Sequence, residues 1–258
     1  MFTNPYPQFL KGRILKTEML DNLRDYPRHF NETYWSGYSN GIVSGAEVKV
    51  SGEKLIITRG IVIHHGRLYV MPDEREMAYE ATGRETLIKL RFSESPLQGD
   101  FINYAADIVL DENVQLKPDE QELGRFKLKQ GARLRMDYQS FADMTTEYNT
   151  VNLIHVDYAG RGKSTLAPFV MRYFGSELLK NGSTDAYDIS FGMLCMNEGT
   201  VDRELIMRYL STRMNMEQKE ANNEFIHRCF VKLLNETRGG NQARSDFRRG
   251  GVQRVLVD

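Results

Sequence analysis

Apolar and polar residues alternate along the chain from Gly41 to about Asp137, with the period of two that is typical of β-strands. The longest example covers residues 102–110, where every second residue is apolar and Asn103 and Asp107 lie between. Shorter stretches with this pattern occupy residues 46–50, 88–92, 125–129 and 133–136. Because glycine-containing turns separate these stretches, the pattern predicts a β-meander that forms an antiparallel sandwich or a barrel.

After about Tyr138 the apolar residues recur every three or four positions, as they do on one side of an α-helix. The first helix is predicted over residues 166–178, and Asn181-Gly182 is a plausible stop signal. A second helix is expected after Thr200 as its N-cap, and a third over residues 225–234. With no strand pattern between them, these helices are expected to form a small bundle rather than a parallel α/β domain.

The two ends of the chain differ from this body. Residues 1–40 combine three prolines with a short amphipathic stretch around Met19, Leu20 and Leu23 and with the single tryptophan, Trp35. Residues 238–254 carry five arginines against one aspartate, a net charge of +4, together with four glycines. The predicted fold class is therefore α+β, with an N-terminal arm and short helix (1–40), a β-rich domain (41–137) and a mainly helical domain with a basic tail (138–258).

Composition excludes several classes of protein. The chain of 258 residues has 34 Lys and Arg against 35 Asp and Glu, so it has no whole-molecule field that would draw it to nucleic acid or to an anionic membrane. Its 41% hydrophobic and 27% charged residues are typical of a globular domain, and no window is apolar enough for a membrane span. Two cysteines are too few for a disulfide scaffold, so a reducing, cytoplasmic setting is expected.

The clearest chemical motif is the segment 157–164, which matches a phosphate-binding loop, Gly-x-x-x-x-Gly-Lys-Ser, except that Asp157 replaces the first glycine. The apolar run 151–156 is a candidate preceding strand, and the helix from about Thr165 a candidate phosphate-facing helix. Gly162-Lys163-Ser164 would then hold a nucleotide. Against this, the added carboxylate repels phosphate, and the βα repeat of a nucleotide-binding core is missing, so a solvated Gly-Arg-Gly turn is the favoured interpretation.

The remaining reactive side chains indicate no site. His64 and His65 are adjacent, so on a strand their rings point to opposite faces and cannot share a metal ion. The other histidines have no close partner at a ligand spacing, and Cys229 lies on an apolar helical stripe. We therefore assign no catalytic, cofactor-binding or metal-binding residue, and we expect no cofactor.

The arginine-glycine tail is a second candidate for binding. Such segments can follow the phosphate backbone of RNA or single-stranded DNA. With only one aromatic residue, Phe247, for base stacking, the tail is better explained as an assembly arm or a solvated end. Nucleic-acid binding is thus kept as an alternative function.

The first third of the chain resembles the opening of tail and baseplate proteins from phages and phage-derived contractile machines. The resemblance covers residues 9–70 and is carried by Gly12-Arg13-Ile14-Leu15, by Gly41-Ile42-Val43-Ser44-Gly45, and by Gly60-Ile61-Val62 with Gly66-Arg67-Leu68-Tyr69. The Gly12–Leu15 piece is also similar to the start of the TssK-type baseplate family of type VI secretion systems. That family continues almost at once with Pro-Gln-His-Phe, whereas here Pro27-Arg28-His29-Phe30 follows an inserted stretch.

This resemblance implies a structural protein without enzymatic activity. Its members act through protein partners, as homo-oligomers or in baseplate complexes, assembled in the cytoplasm and incorporated into a virion or an injection particle. It transfers no functional residue to this chain. We therefore expect an assembly component, with nucleotide binding and nucleic-acid binding as the two alternatives.

Overall fold

The computed structural model describes residues 1–98, 101–197, 199–217 and 220–248. One long helix, α1 (Thr17–Trp35), precedes the strands. The strands are β1 (Gly41–Gly45), β2 (Val48–Ser51), β3 (Lys54–Ile57), β4 (Gly60–His64), β5 (Arg67–Met71), β6 (Arg75–Ala78), β7 (Glu85–Gln98), β8 (Phe101–Asp111) and β9 (Glu120–Lys127). A short 3₁₀ helix (Phe141–Thr145) leads to α2 (Pro168–Lys180), α3 (Ala186–Asn197), α4 (Arg203–Met214) and α5 (Asn223–Arg248). Strands followed by helices confirm the α+β class.

The described strands form three small antiparallel sheets with the orders β1-β4-β5, β2-β3-β6 and β8-β7-β9. No closed barrel forms in the parts of the chain that the structure describes. The first and third sheets meet where the His64 ring stacks on Phe92, with ring centroids 3.8 Å apart and planes 2° apart. Strands β5 and β8 each lie at the edge of their sheet, with a neighbour on one side only.

Two predicted strands are absent. Leu134 is buried, but residues 133–136 make only an isolated bridge between Arg135 and Thr150. The Arg135 guanidinium is held instead by two hydrogen bonds of 2.6 and 2.7 Å to the Asp143 carboxylate. In the run 151–156, Val151, Ile154 and Val156 are buried, yet the backbone turns at Val156, whose N–H donates to the Leu153 carbonyl. Both segments supply core side chains from connecting chain rather than from strands.

The helices also differ in detail from the predicted ones. Helix α2 begins at Pro168, later than Thr165, and ends before Asn181-Gly182 as expected, with Gly182 at φ +69°. Helix α3 was not predicted, and α4 begins after Asp202 rather than Thr200. In α3 the side chain of Asp188 is buried and accepts hydrogen bonds from Tyr209 (2.8 Å) and Arg213 (2.7 Å).

The core of the helical part depends on a close approach between α2 and α3. A Cβ atom on Gly175 would lie 2.8 Å from the Gly192 carbonyl oxygen, and one on Gly192 would lie 2.9 Å from the Leu179 Cγ. Around this contact Phe174 stacks on Phe230, and Phe191 on Tyr209, with ring centroids 3.9 and 3.8 Å apart. The glycines therefore allow the two helices to pack backbone against backbone.

The basic tail begins as helix. Helix α5 continues through residue 248, well past the predicted end near Leu234. Residues 249–254, the remainder of the predicted tail, lie outside the described residues. Within the described chain, no helix combines the length and the apolar character that crossing a membrane requires.

Candidate functional site

The loop predicted as a phosphate site is held by contacts within the protein. Most of its amides already donate: Ala159 to the Ile42 carbonyl (2.9 Å), Gly160 to the Ser39 hydroxyl (3.2 Å) and Gly162 to the Gly37 carbonyl (2.8 Å). A phosphate-binding loop needs such amides free to face the ligand. The helix that would receive the phosphate starts only at Pro168.

The side chains of this loop are also paired. The Lys163 ammonium bonds to the Glu220 carboxylate, and the Ser164 hydroxyl donates to Asp157 over 2.9 Å. Asn223 donates to the same Asp157 oxygen over 3.3 Å. A cavity of about 1120 Å³ beside the loop is lined by four carboxylates, Asp157, Asp202, Glu204 and Glu220, and by three cationic side chains, Arg161, Lys163 and Arg203. This geometry favours the interpretation as a structural turn, and nucleotide binding stays a prediction.

The adjacent histidines lie closer together than expected. His65 adopts φ +47° in the turn after β4, so its ring is not on the opposite face of the strand but edge-on to the His64 ring, with centroids 4.2 Å apart. His64 is buried, and burial together with the neighbouring His65 lowers its pKa to about 4. The described residues contain no group of three side chains able to hold a metal ion.

The other buried reactive groups have structural partners. The His227 Nε2 atom lies 3.0 Å from the Phe141 carbonyl, and burial lowers the His227 pKa. Cys195 and Cys229 are buried free thiols, and burial raises the pKa of Cys195 to about 12. A thiol with a raised pKa is a poor nucleophile at neutral pH. These side chains contribute packing, as expected for the cysteines.

The alternation of β7 conceals a buried charged cluster. Alternation over residues 88–92 implies a solvent-facing side chain at position 89, yet the side chain of Lys89 is fully buried. Its ammonium lies 3.2 Å from both Asp111 and Glu120 and donates to the Gln115 carbonyl. Because the partners come from β8 and β9, only the sheet pairing brings them together. The cluster joins three strands and contacts no cavity described here.

The surface of α1 is the unusual feature of the molecule. Its large apolar residues, spaced three or four positions apart, form one stripe: Met19, Leu23, Tyr26, Phe30 and Tyr34. Leu23 is 50% exposed and Phe30 is 59% exposed, and no residue of the helix is buried in the described structure. On the polar side Arg24, Arg28 and Glu32 line a cleft together with β5 and β8, yet these side chains are exposed as well, Arg24 by 68% and Arg28 by 67%. An amphipathic helix on a globular protein normally buries its apolar stripe against the core.

The segment before α1 extends this apolar surface. Phe2, Tyr6, Phe9, Ile14 and Leu15 are all exposed. At the other end of the helix, Trp35 is partly buried and packs edge-on against Tyr38, with ring centroids 4.6 Å apart. The sequence predicts the amphipathic stretch but only the beginning of the helix, because Pro27, a residue that usually ends a helix, lies inside α1. Periodicity gives the existence of an apolar stripe but not the direction in which it faces.

Comparisons with known proteins give limited information. No protein-family model matches the chain, and neither does any curated protein. Among solved structures, the chain is similar to a crystal structure of TssK, with 11% identity, a TM-score of 0.40, and coverage of 98% of this chain and 70% of the other. It is also similar to a chain of the type VI secretion system TssK-TssF-TssG baseplate subcomplex, with 12% identity, a TM-score of 0.39, and coverage of 92% and 100%. Values of this size identify no family for the chain.

Proposed function

We propose that this protein is a non-enzymatic structural component of an oligomeric assembly, and that the apolar face of α1 packs against other copies of the chain. The observation that carries the proposal is the exposure of α1, whose apolar stripe lies in solvent instead of packing against the core. Contiguous exposed apolar surface of this kind is typical of interaction sites.

The need to stabilise α1 also supports the proposal that its apolar face is covered. Most helical stability in proteins comes from packing of the apolar face rather than from the helix alone. Here Leu20, Leu23 and Phe30 are 49–59% exposed, and Tyr34, which is 57% exposed, stacks on Tyr38. Charged residues lie off the apolar stripe, and Arg24 and Arg28 already pair with Asp25 and Glu32 at 2.6 and 2.7 Å. Identical stripes can therefore meet without bringing like charges together.

The class of assembly is proposed from the sequence resemblance of residues 9–70. A tail-like or baseplate-like particle is built from repeated copies, and a protein with uncovered helical and extended arms suits such a particle. Incorporation into an injection particle or a virion belongs to the same proposal.

The proposal is tested by static light scattering over a range of protein concentrations. The chain of 29.8 kDa is expected to give a mass of at least twice that value. The double variant Leu23→Asp/Phe30→Asp places charges on the apolar face and is expected to return the mass to that of the monomer. Asn31→Asp adds a charge to the polar side of the same helix and is the matched control, with the wild-type mass expected. A monomeric wild-type chain at all concentrations would overturn the proposal.

Nucleotide and nucleic-acid binding remain the alternative predictions, and each has a direct test. Calorimetry with ATP or GTP and Mg²⁺ tests the first, with Lys163→Ala as the variant that must abolish any binding. Binding of RNA or single-stranded DNA that weakens steeply with salt, and that is lost without residues 238–254, would establish the second.

A further inference from the structure

A cleft lies beside the outer edges of β5 and β8, which approach each other where Arg67 meets Tyr104. Its volume is about 1320 Å³, above the roughly 300–1,000 Å³ of a typical small-molecule pocket. All of β5 and residues 104–108 of β8 line its sides, and apolar side chains form its floor, among them Val62, Leu90 and Ile108. At one end the Arg67 guanidinium lies over the Tyr104 ring, 4.0 Å from its centroid. The size and shape fit a peptide segment better than a small molecule.

Both edges offer backbone hydrogen-bonding groups. Strand β5 pairs only with β4, and β8 only with β7, in the part of the chain that the structure describes. No described backbone hydrogen bond joins β5 to β8 or to a third strand across the cleft. Unpaired strand edges are templates for an added strand, and natural proteins usually cover them.

The N-terminal arm has the properties of such a strand. In an extended segment, residues of one parity direct their N–H groups to one side, and residues of the other parity direct them to the opposite side. Pro5 and Pro7 share one parity and have no N–H, so that edge keeps only the N–H groups of Thr3 and Phe9 at its two ends, whereas Asn4, Tyr6 and Gln8 donate in succession from the other edge. The arm therefore has one continuous pairing edge, which is how proline is used in edge strands.

The side chains of the arm follow the same division. Thr3, Pro5, Pro7 and Phe9 lie on one face of an extended segment, whereas Asn4, Tyr6 and Gln8 lie on the other. The first face is largely apolar and suits the cleft floor, and the second can face water. Just after this stretch the arm carries two basic side chains, Lys11 and Arg13. The β8 edge carries the exposed carboxylate of Asp107, for which the structure describes no ion pair, so the charges of the arm and of this edge are complementary.

We propose that residues 3–9 of the arm from a second copy of the chain add as a strand along the β8 edge of the cleft. Within one chain, α1 residues from Arg24 onwards line the cleft and no arm residue does. The arm leaves the helix at Thr17, about 10 Å beyond Arg24 along the axis, and its 16 residues span up to about 50 Å when extended. It is thus long enough to reach a neighbouring molecule.

The side of the arm that meets the cleft floor carries one aromatic residue. Phe9 is 57% exposed, and covering an aromatic side chain buries about 150–250 Å². When two copies exchange arms, this contact is made twice. The inference rests on the proposed self-assembly and identifies a second contact for it.

The test uses disulfide formation between two singly substituted chains, since the native cysteines are buried. Tyr6→Cys in one chain is mixed with Asn103→Cys, Ala105→Cys or Asp107→Cys in the other, three positions that sample the register along the β8 edge. Arg172→Cys, an exposed position on α2, is the control partner. At least one β8 position is expected to give about tenfold more cross-linked dimer than the control, because docking raises the local thiol concentration.

A proline pair tests the hydrogen bonds. Gln8→Pro removes an N–H from the pairing edge and is expected to lower the cross-linking yield at least about fivefold. Thr3→Pro removes an N–H from the other edge and is expected to leave the yield within about twofold of the parent. Neither position has a buried side chain, so the fold of the body is unaffected.

Three outcomes overturn the inference: a yield at the control level for all three β8 positions, equal effects of the two prolines, or cross-linking within one chain that carries both cysteines. The last would show that the arm folds back on its own cleft. If the light-scattering mass is oligomeric while cross-linking fails, the arm exchange is wrong and the proposed function stands. A monomeric mass overturns the proposed function itself.

Discussion

At the scale of single residues, the buried ionisable groups determine how stability depends on conditions. His64 and Lys89 lie inside the β-rich part, where a charge is costly unless it is paired. His64 avoids the cost by remaining neutral, and Lys89 by pairing with Asp111 and Glu120. The two residues therefore respond differently to pH and to substitution.

His64 predicts a loss of stability in mild acid. Its pKa is about 4 in the folded chain and about 6.5 when unfolded, so between these values the unfolded chain binds the extra proton. The contribution of neutral His64 is complete above about pH 6.5 and is lost as pH falls towards 4. Urea denaturation of the wild type and of His64→Phe, which keeps the stack on Phe92, measures it.

The wild type is expected to lose about 1–2 kcal/mol more free energy of unfolding across this pH range than His64→Phe does. Phe92→Leu is the control, since it weakens the packing but keeps the histidine and hence the pH slope. Equal slopes for the wild type and His64→Phe would contradict the assignment. The pKa of His64 would then be the same in the folded and in the unfolded chain.

Lys89 predicts a large effect of an uncharged substitution. Lys89→Met leaves Glu120 buried with Arg91 as its remaining cationic partner, at 3.1 Å. Breaking a buried ion pair by removing one partner typically costs about 3–5 kcal/mol. Chemical denaturation is expected to show a loss towards the lower end of this range, because Arg91 remains.

The double variant Lys89→Met/Glu120→Gln removes both charges, so it distinguishes the cost of an unpaired buried charge from the cost of altered packing. The double variant is expected to recover part of the stability lost in Lys89→Met. If both variants unfold like the wild type, the pairing seen in the sheet does not contribute to folding.

At the scale of secondary-structure elements, the sequence predicts strands and helices well where one face alone is buried. The alternation in 102–110 gives β8, and the stripe ending at Asn181-Gly182 gives α2. Prediction fails where polar residues are buried by partners distant in sequence. Asp188 in α3 and Lys89 in β7 find those partners on other elements, and the sequence carries no local signal for such pairing.

The same limit applies to the candidate site. The apolar stripe of α1 was visible from Met19 to Leu23, but its length and its outward orientation were not. Orientation depends on where the strands lie, and the cleft under α1 exists only once β5 and β8 are placed. In the glycine-lysine-serine loop the motif is recognisable in the sequence, but the structure does not favour the predicted role. Its backbone amides bond to the carbonyls of Gly37 and Ile42, which are distant in sequence, so the loop is held as a turn.

The close approach of α2 and α3 gives a prediction at this scale. Gly175→Ala places a methyl group about 2.8 Å from the Gly192 carbonyl, so the helices must separate. Overpacking of this kind costs about 1–3 kcal/mol. Thermal denaturation is expected to show the lower midpoint. Gly37→Ala is the control, because nothing lies within 4 Å of its added Cβ, and an equal loss in both variants would contradict the close-packing account.

At the scale of the whole molecule, the net charge and the exposed apolar surface both favour association between copies of the chain. A net charge of −1 gives little long-range repulsion between copies. The exposed apolar side chains of the arm and α1 are concentrated in the first 35 residues, while the body behind them has a continuous core. The molecule is therefore a folded body with an exposed apolar N-terminal segment, which is the arrangement that the proposed assembly role requires.

Covering of the α1 face by other copies is tested most directly by the reactivity of a thiol placed on it. Leu23→Cys is treated with a water-soluble maleimide over a series of protein concentrations, and Asn31→Cys on the polar side of α1 is the control. The account predicts that labelling at position 23 slows at least about tenfold as the concentration rises, since association removes that face from solvent, with a smaller change at position 31. Labelling at position 23 that is fast and independent of concentration would contradict it.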